Sequence, residues 1–435
     1  MNKSKTFIVL FFLIVFSNIG FSQIFSLNQL LDNALENNYL LQSNKINSSI
    51  KQTDIEKLKI NFLPVIGTSA TFSYWNFLLP NKERLLGDNK TDFYNDITLY
   101  QKLYDFGATK TEKSRVEDEI LLNDEVQRQI RQTIIYGVGN AYFATLSSEM
   151  EIQVHQNTLT QLEEQLRYSQ NLFDIGKVSN IDLLKIKVQI SVEEKNLEKA
   201  KNDYLGQKVN LQNLCFIPHT DDFTIENNAV KRYNQLNNER LQNEKEYGKV
   251  AENHPLILQN VIQADLEKQQ QEIYKLQNRP ELFGYGITTW ESAFSPFSDN
   301  FNFNVGVGIR YTIPFLGGSG YKYQVIQSNY KIKQLHVEKD QTLLEIKSEI
   351  DLTLNNLKSI QKDIENQQII IELTKETIDN SLVKYKAGQG TIIDILDAQS
   401  ILSEATLAYN KSIILFLQST VKLHYLSAND GYPFE

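Results

Sequence analysis

Proline is scarce in this chain, and its gaps are long. The 435 residues hold eight prolines, at 64, 80, 218, 255, 280, 296, 314 and 433, so none falls in 81–217 or in 315–432. Between Tyr323 and Tyr425 the only glycines are Gly388 and Gly390. Proline and glycine are the residues that end helices, so little in these stretches interrupts one. Cysteine is nearly missing. The single Cys215 excludes an intramolecular disulfide, and core packing near a helix end is its expected role. Past the N-terminal run no segment approaches about 18 apolar residues, which excludes a spanning helix. The five histidines, at 155, 219, 254, 336 and 424, show no zinc-ligand spacing. No Gly-x4-Gly-Lys-Ser/Thr loop and no Gly-x-Ser-x-Gly elbow occur, so nothing supports an enzyme or a bound cofactor. A formal charge of -9 argues against nucleic acid as partner.

Residues 1–22 read as a secretory signal. Lys3 and Lys5 precede the apolar run Phe7 to Phe16, and Gly20-Phe21-Ser22 offers a small-x-small cleavage site. Cleavage would remove two lysines and take the formal charge from -9 to -11.

What is present is a duplication. Phe173-Asp-Ile-Gly176, followed by Asp182-Leu-Leu, recurs 212 residues later as Tyr385-Lys-Ala-Gly388 followed by Asp394-Ile-Leu. Asn37 to Leu40 pairs with Asn253 to Leu256, Pro64 with Pro280, Trp75 with Trp290, and Phe106-Gly107 with Gly317-Gly318. Such a length is a duplicated half rather than a solenoid unit, whose periods reach roughly 50 residues. The halves are predicted over 23–217 and 249–427, joined by a polar surface connection at 218–248 and followed by a tail at 428–435.

Each proline-free stretch carries apolar residues three or four apart, as in Val116, Ile120, Ile130, Ile134, Val138 and Ala141. The pattern predicts two long helical hairpins. One spans about Ala108 to Cys215 with its tip at Gly176, and the other about Tyr321 to Ser427 with its tip at Gly388. Gly137-Val-Gly139 marks a place where the first outgoing helix could break. Shorter helices are predicted over about Leu27 to Ile60 and Ala251 to Asn278.

Aromatic and glycine residues concentrate between Phe62 and Phe106 and between Leu282 and Tyr323. Phe301, Phe303, Val305, Val307, Ile309 and Tyr311 alternate with Asn302, Asn304, Gly306, Gly308 and Arg310, the period of a strand. Two β-hairpins are predicted, over about 65–104 and 281–313; alternation is weaker in the first. Strands of about ten residues have membrane-spanning length, with Trp75, Tyr100, Trp290 and Tyr311 as candidates for an aromatic girdle. Four strands cannot close a barrel, and an open edge in lipid costs several kcal/mol per unpaired backbone group. Spanning strands would therefore have to be pooled among several chains; three would supply twelve. The alternative is a soluble hairpin pair capping an exported coiled-coil spacer without a pore.

Along essentially its whole mature length the chain resembles the TolC-like outer-membrane efflux proteins. The resemblance rests on the duplication, on the Leu-x2-Ala-Leu-x-Asn spacing of Leu31 to Asn37, and on the strand-end motifs Leu103-Tyr-Asp-Phe-Gly107 and Pro314-Phe-Leu-Gly-Gly318. The paired tip motifs complete it. It implies a mixed α+β membrane protein: four transmembrane β-strands per chain in a trimeric 12-strand barrel, with long antiparallel helical hairpins in the periplasm of a Gram-negative cell. It further implies a passive outer-membrane exit duct fed by a periplasmic adaptor and an inner-membrane pump.

The resemblance places Asp182, Tyr385, Asp394 and Asp397 at a periplasmic constriction, and Gly176, Gly388 and Gly390 at tip turns that meet the adaptor. A ring of carboxylates there would favour cations. Ser179-Asn-Ile-Asp182 and Thr391-Ile-Ile-Asp394 also fit the capping box of a helix start, whereas Asp397 lies too deep to cap. Gly390 stands where family members with a well-known gate carry an Arg, so a latch from that position to Asp182 is not available, and a looser closed state is expected.

Overall fold

The structure, a computed structural model, describes residues 23–74, 76, 91–219, 223–239, 251–276, 279–292, 301–311 and 320–434. The expected signal, Trp75 and the Pro314 to Gly318 motif lie outside the described residues.

The first half contains β1 (Gln23–Phe25), α1 (Leu27–Asn37), α2 (Tyr39–Ile60), β2 (Val65–Tyr74), β3 (Thr91–Tyr104), α3 (Ala108–Asp174) and α4 (Asn180–Cys215). β4 (Phe223–Ile225) and α5 (Ala229–Glu239) follow. The second half contains α6 (Pro255–Leu276), β5 (Glu281–Ser292), β6 (Phe301–Arg310), α7 (Gly320–Lys386) and α8 (Ile392–Leu426). The duplication is kept to the residue: α3 and α7 are both 67 residues long and begin 212 positions apart. At 1.5 Å per residue each runs about 100 Å. Neither breaks, although Gly137 and Gly139 were a candidate interruption. Gly139 instead serves packing, because a Cβ there would lie 2.9 Å from Val421 Cγ1 on α8.

Two expectations are corrected. The helix predicted over Leu27 to Ile60 divides at Asn38, whose side chain accepts from the Leu40 and Leu41 amides and starts α2 afresh. The connection at 218–248, expected as a polar surface segment, contributes Phe223, Ile225, Ala229, Tyr233 and Leu236 to the main core. β4 pairs in parallel with β1, and α5 buries one face at i, i+4, i+7 spacing, which the mean polarity of the segment conceals.

That core sits midway along α3, where Tyr142, Phe143 and Leu146 meet Leu27, Leu30 and Leu31 of α1. Cys215 is fully buried there at the end of α4, and burial pushes its thiol up to about 12. The tail packs back: Arg128 Nε donates to Asp430 Oδ1 at 2.8 Å, and the Phe434 ring meets Phe143. Below the core, His155 Nδ1 lies 2.8 Å from Glu193 Oε1, a buried polar pair between α3 and α4.

The four long strands form one antiparallel sheet in the order β2-β3-β5-β6. Its helix-side end is built by Asp105. The Asp105 carboxylate accepts from Gly107 N at 3.2 Å and Thr109 N at 2.9 Å, capping α3 as the chain leaves β3. Phe106, at φ 54, and Gly107, at φ 97, take the left-handed conformations that turn the strand into the helix.

The helices lie side by side, α2-α3-α6-α7 at the sheet end and α4-α3-α8-α7 toward the tips. The outermost members are α2 and α4 on one flank and α7 on the other. Each carries exposed apolar residues on the side turned away from its neighbours. On α7 these are Tyr323, Ile326, Tyr330, Val337 and Leu344. With 3.6 residues per turn they fall about 180° from the buried Ser328, Leu335 and Ile346. Ile46 and Ile50 of α2 repeat the arrangement, and α4 exposes Ile181, Leu184, Val188 and Val192 opposite its buried side near the tips. Among the described residues the sheet likewise has two edges, β2 and β6, each with one neighbour.

Candidate functional site: the hairpin tips and the two-faced sheet

At the first tip, Gly176 N donates to Phe173 O at 2.8 Å and Lys177 N to Leu172 O at 2.9 Å. At the second, Gly388 N donates to Tyr385 O at 3.0 Å and Gln389 N to Lys384 O at 2.9 Å. Gly176 and Gly388 both sit at φ 74, which glycine adopts at no steric cost. Gly390 answers to a different need. Its Cβ would lie 3.0 Å from Lys384 Cβ and 3.1 Å from Tyr385 N, so the turn folds back onto it.

Both return helices open with capping boxes. Ser179 Oγ lies 3.1 Å from Asp182 Oδ2, and Thr391 Oγ1 donates to Asp394 Oδ2 at 2.8 Å. The Thr391 hydroxyl, then its backbone N–H, holds the Asp394 carboxyl below the usual carboxylate range. Asp394 and Asp397 are exposed, and Asp182 is half-buried.

Tyr385 is placed differently from the carboxylates. It is only 5% exposed and lies within a small core formed with Ile186, Ile392 and Ile395. Its hydroxyl lies 3.3 Å from Ser169 Oγ on α3. Burial is the main cause that raises its pKa. Tyr385 thus clamps one hairpin to the other within the chain. Asp397 borders a shallow groove between α4 and α8 whose apolar lining is Ile181, Leu184, Val188, Ile393 and Leu396. Sequence reasoning missed this groove. Its signal is that α4 carries apolar residues on two opposite faces, one more than hairpin packing needs. Among the described residues no three His, Cys, Asp or Glu converge as metal ligands.

The sheet has two unlike faces. The register puts Ile66, Ala70, Phe72, Ile97, Leu99, Leu282, Trp290, Phe301, Phe303, Val305, Val307 and Ile309 on one side. Val305, Val307 and Ile309 are each 71% exposed. The other side carries Ser69, Asp96, Thr98, Asn302, Asn304 and Arg310. Trp290 and Tyr311 are exposed. Tyr100 is on the polar side, with its hydroxyl bonded to Glu281, so it shares no apolar belt with Trp290. Among the described residues no helix is long and apolar enough to cross a membrane.

This geometry has relatives. Residues 30–215 match the family model described as outer membrane efflux protein. The outer membrane protein TolC of Salmonella enteritidis is 22% identical over 420 residues, 93% of this chain and 82% of its own. The outer membrane efflux protein BepC of Brucella suis is 21% identical, over 86% of this chain and 79% of its own. Among solved structures, that of CusC superposes with a TM-score of 0.75 at 15% identity, over 92% of this chain and 90% of that one. The Campylobacter jejuni CmeC outer membrane channel gives 0.73 at 16% identity, over 94% and 87%. The fold is that of these channels. Along most of its length the chain is similar to the TolC-like outer-membrane efflux proteins, and the family model matches it over residues 30–215.

Proposed function

We propose that three copies of this chain close into one passive exit duct. The observation that carries the reading is the matched pair of incomplete flanks. β2 leaves the helices and β6 returns to them, so β6 of one copy beside β2 of the next is antiparallel, like every other pair in the sheet. The apolar residues of α2 then face the row of α7 below that seam, and the α4 row faces the exposed Ile369, Leu373 and Val383 at the tip end of α7. The contact is head-to-tail, and such contacts close into rings when the rotation allows. Two copies give eight strands, whose interior side chains fill; three give twelve and the smallest ring with room for a lumen. The Val305 face then meets lipid, with Trp290 and Tyr311 in its girdle, and the Asp96 face lines the passage.

In this assembly the tips converge. Asp397 and Asp394 supply six carboxylates around the axis, and the Tyr385–Ser169 contact holds each inner hairpin against its neighbour in place of a latch from position 390. The turns at Gly176, Gly388 and Gly390 meet a periplasmic adaptor, through which an inner-membrane pump delivers cargo. Planar-bilayer recording tests the reading. The purified protein should migrate as a heat-sensitive trimer and give discrete conductance steps. Asp394→Ala/Asp397→Ala should lower cation selectivity. Absence of steps from a folded trimer would sink the duct, and unchanged selectivity would remove the carboxylates from the constriction.

A further inference from the structure

The polar face of the sheet carries aromatic rings that a water-lined wall does not require. At its helix-side end Tyr100 of β3 stands beside Phe283 and Tyr285 of β5. The Tyr100 and Phe283 rings are stacked, with centroids 5.3 Å apart at 29°. Phe283 and Tyr285 follow at 6.2 Å. The rings lie flat because β6 offers only glycine beneath them. A Cβ on Gly308 would be 2.7 Å from Phe283 Cζ, and one on Gly306 would be 2.8 Å from Tyr285 Cζ. Arg310 closes the cluster, its guanidinium carbon 5.3 Å from the Tyr100 ring centre and 5.1 Å from that of Phe283.

Packing glycine-bearing strands accounts for one ring over each glycine. It does not account for an exposed arginine laid across two of them. The charges there are also uneven: Lys102 and Arg310 approach one carboxylate, Glu281, at 3.7 and 3.9 Å. Glu281 is already bonded to the Tyr100 hydroxyl. Asp105, 4.0 Å from Lys102, is buried and turned to the first amides of α3. The outward edge of the Arg310 guanidinium, with its planar fork of donors, is therefore the accessible charge.

We propose that Tyr100, Phe283, Tyr285 and Arg310 form a recognition collar for planar aromatic anions, carboxylates or sulfonates. The aryl plane stacks on the half-buried rings while the acid group pairs with Arg310. The inference rests on the duct reading, which turns this face inward and gathers three collars where the strands meet the helices. It makes the passage selective by transient binding at that level, independently of the carboxylates at the tips.

The test is current blockade in planar bilayers with 2-naphthalenesulfonate as probe and butanesulfonate as its aliphatic match. The wild-type trimer should show resolved blockades with the aryl probe and none with the alkyl one. Arg310→Gln should shorten the blocked dwell time by about tenfold, the order expected for losing a charge-assisted and ring-stacked partner. Arg310→Lys should recover less than half of the logarithmic loss, since it restores charge without the planar stack. Tyr285→Leu should shorten dwell times while leaving the open conductance near that of wild type. Equal blockade by both sulfonates, or dwell times untouched by these substitutions in a conducting channel, overturns the collar. A folded trimer that never conducts overturns the duct and the collar with it.

Discussion

Thr391 shows how much of the tip is set by single side chains. Its hydroxyl and N–H both bond the Asp394 carboxylate, at 2.8 and 3.1 Å, and keep that group ionised more readily than a free carboxylate. A folded-state pKa below the unfolded one means that the cap stabilises α8 above the unfolded value. That stabilisation is lost as the pH falls through the folded one. Thr391→Ala should raise the Asp394 pKa toward the ordinary carboxylate value, so the acid-side fraying of the first turn begins at higher pH. At neutral pH, hydrogen exchange of the first-turn amides of α8 should quicken by roughly fivefold, in keeping with the loss of a hydroxyl N-cap. Exchange that is unaltered at every pH would show that the tip is held by packing alone. Both capping boxes were legible in the sequence because the partners are three residues apart, within one turn. Gly390 was legible only as a missing arginine. Its closeness to Lys384 and Tyr385 depends on the path of the turn, which no local pattern encodes. The face of Tyr100 was hidden for a similar reason: β3 holds apolar residues on both sides, and only its pairing with β5 assigns them.

At the scale of elements, the long hairpins were legible from the places where proline and glycine do not occur. The residual glycines misled. Gly137 and Gly139 weaken a helix by propensity, by about 1 kcal/mol each relative to alanine, yet α3 passes through them because tertiary packing outweighs that sum. Gly139 accepts Val421 of α8 against its backbone, so the price in propensity secures a close crossing of the two halves. Gly139→Leu should push the helices apart and destabilise the fold by about 1–3 kcal/mol, the usual range for overpacking. Val421→Ala in the same chain should recover most of that loss, because it removes the atoms that the new side chain meets. Far-UV circular dichroism during urea unfolding in detergent, run on both single variants and the double variant, gives the coupling. Additive losses would mean that the glycine is tolerated rather than required. The segment from Phe223 to Leu236 carries the complementary lesson. Its abundant Asn and charged residues concealed an apolar face, visible only when residues are sorted by helical position instead of averaged.

For the whole molecule, the decisive feature is a surface that one chain cannot finish. The sequence pointed to pooled strands from the count of four alone, but it did not show that the helical flanks are unfinished in the same sense. Apolar residues of α2, α4 and α7 appeared in the sequence as ordinary members of amphipathic helices. Only the packing shows that Val337 and Leu344 stand opposite the buried side of α7, exposed among the described residues. Burying a large apolar side chain contributes about 1.5–3 kcal/mol, so the five residues of the upper α7 row could supply roughly 8–15 kcal/mol to each seam before ordering costs. A charge placed in that row would have to be desolvated without a partner. Val337→Glu/Leu344→Glu should therefore leave the helix content of the chain unchanged, because both residues lie outside its internal contacts. It should at the same time abolish the heat-sensitive trimer on semi-native gels and the conductance that depends on it. A corresponding change on the opposite flank, Val188→Glu on α4, should weaken the trimer to a smaller degree, since it interrupts a shorter row near the tips. Trimers of full stability in the double variant would mean that α7 presents this row to something other than a second copy. The ring would then have to be closed by the strands alone.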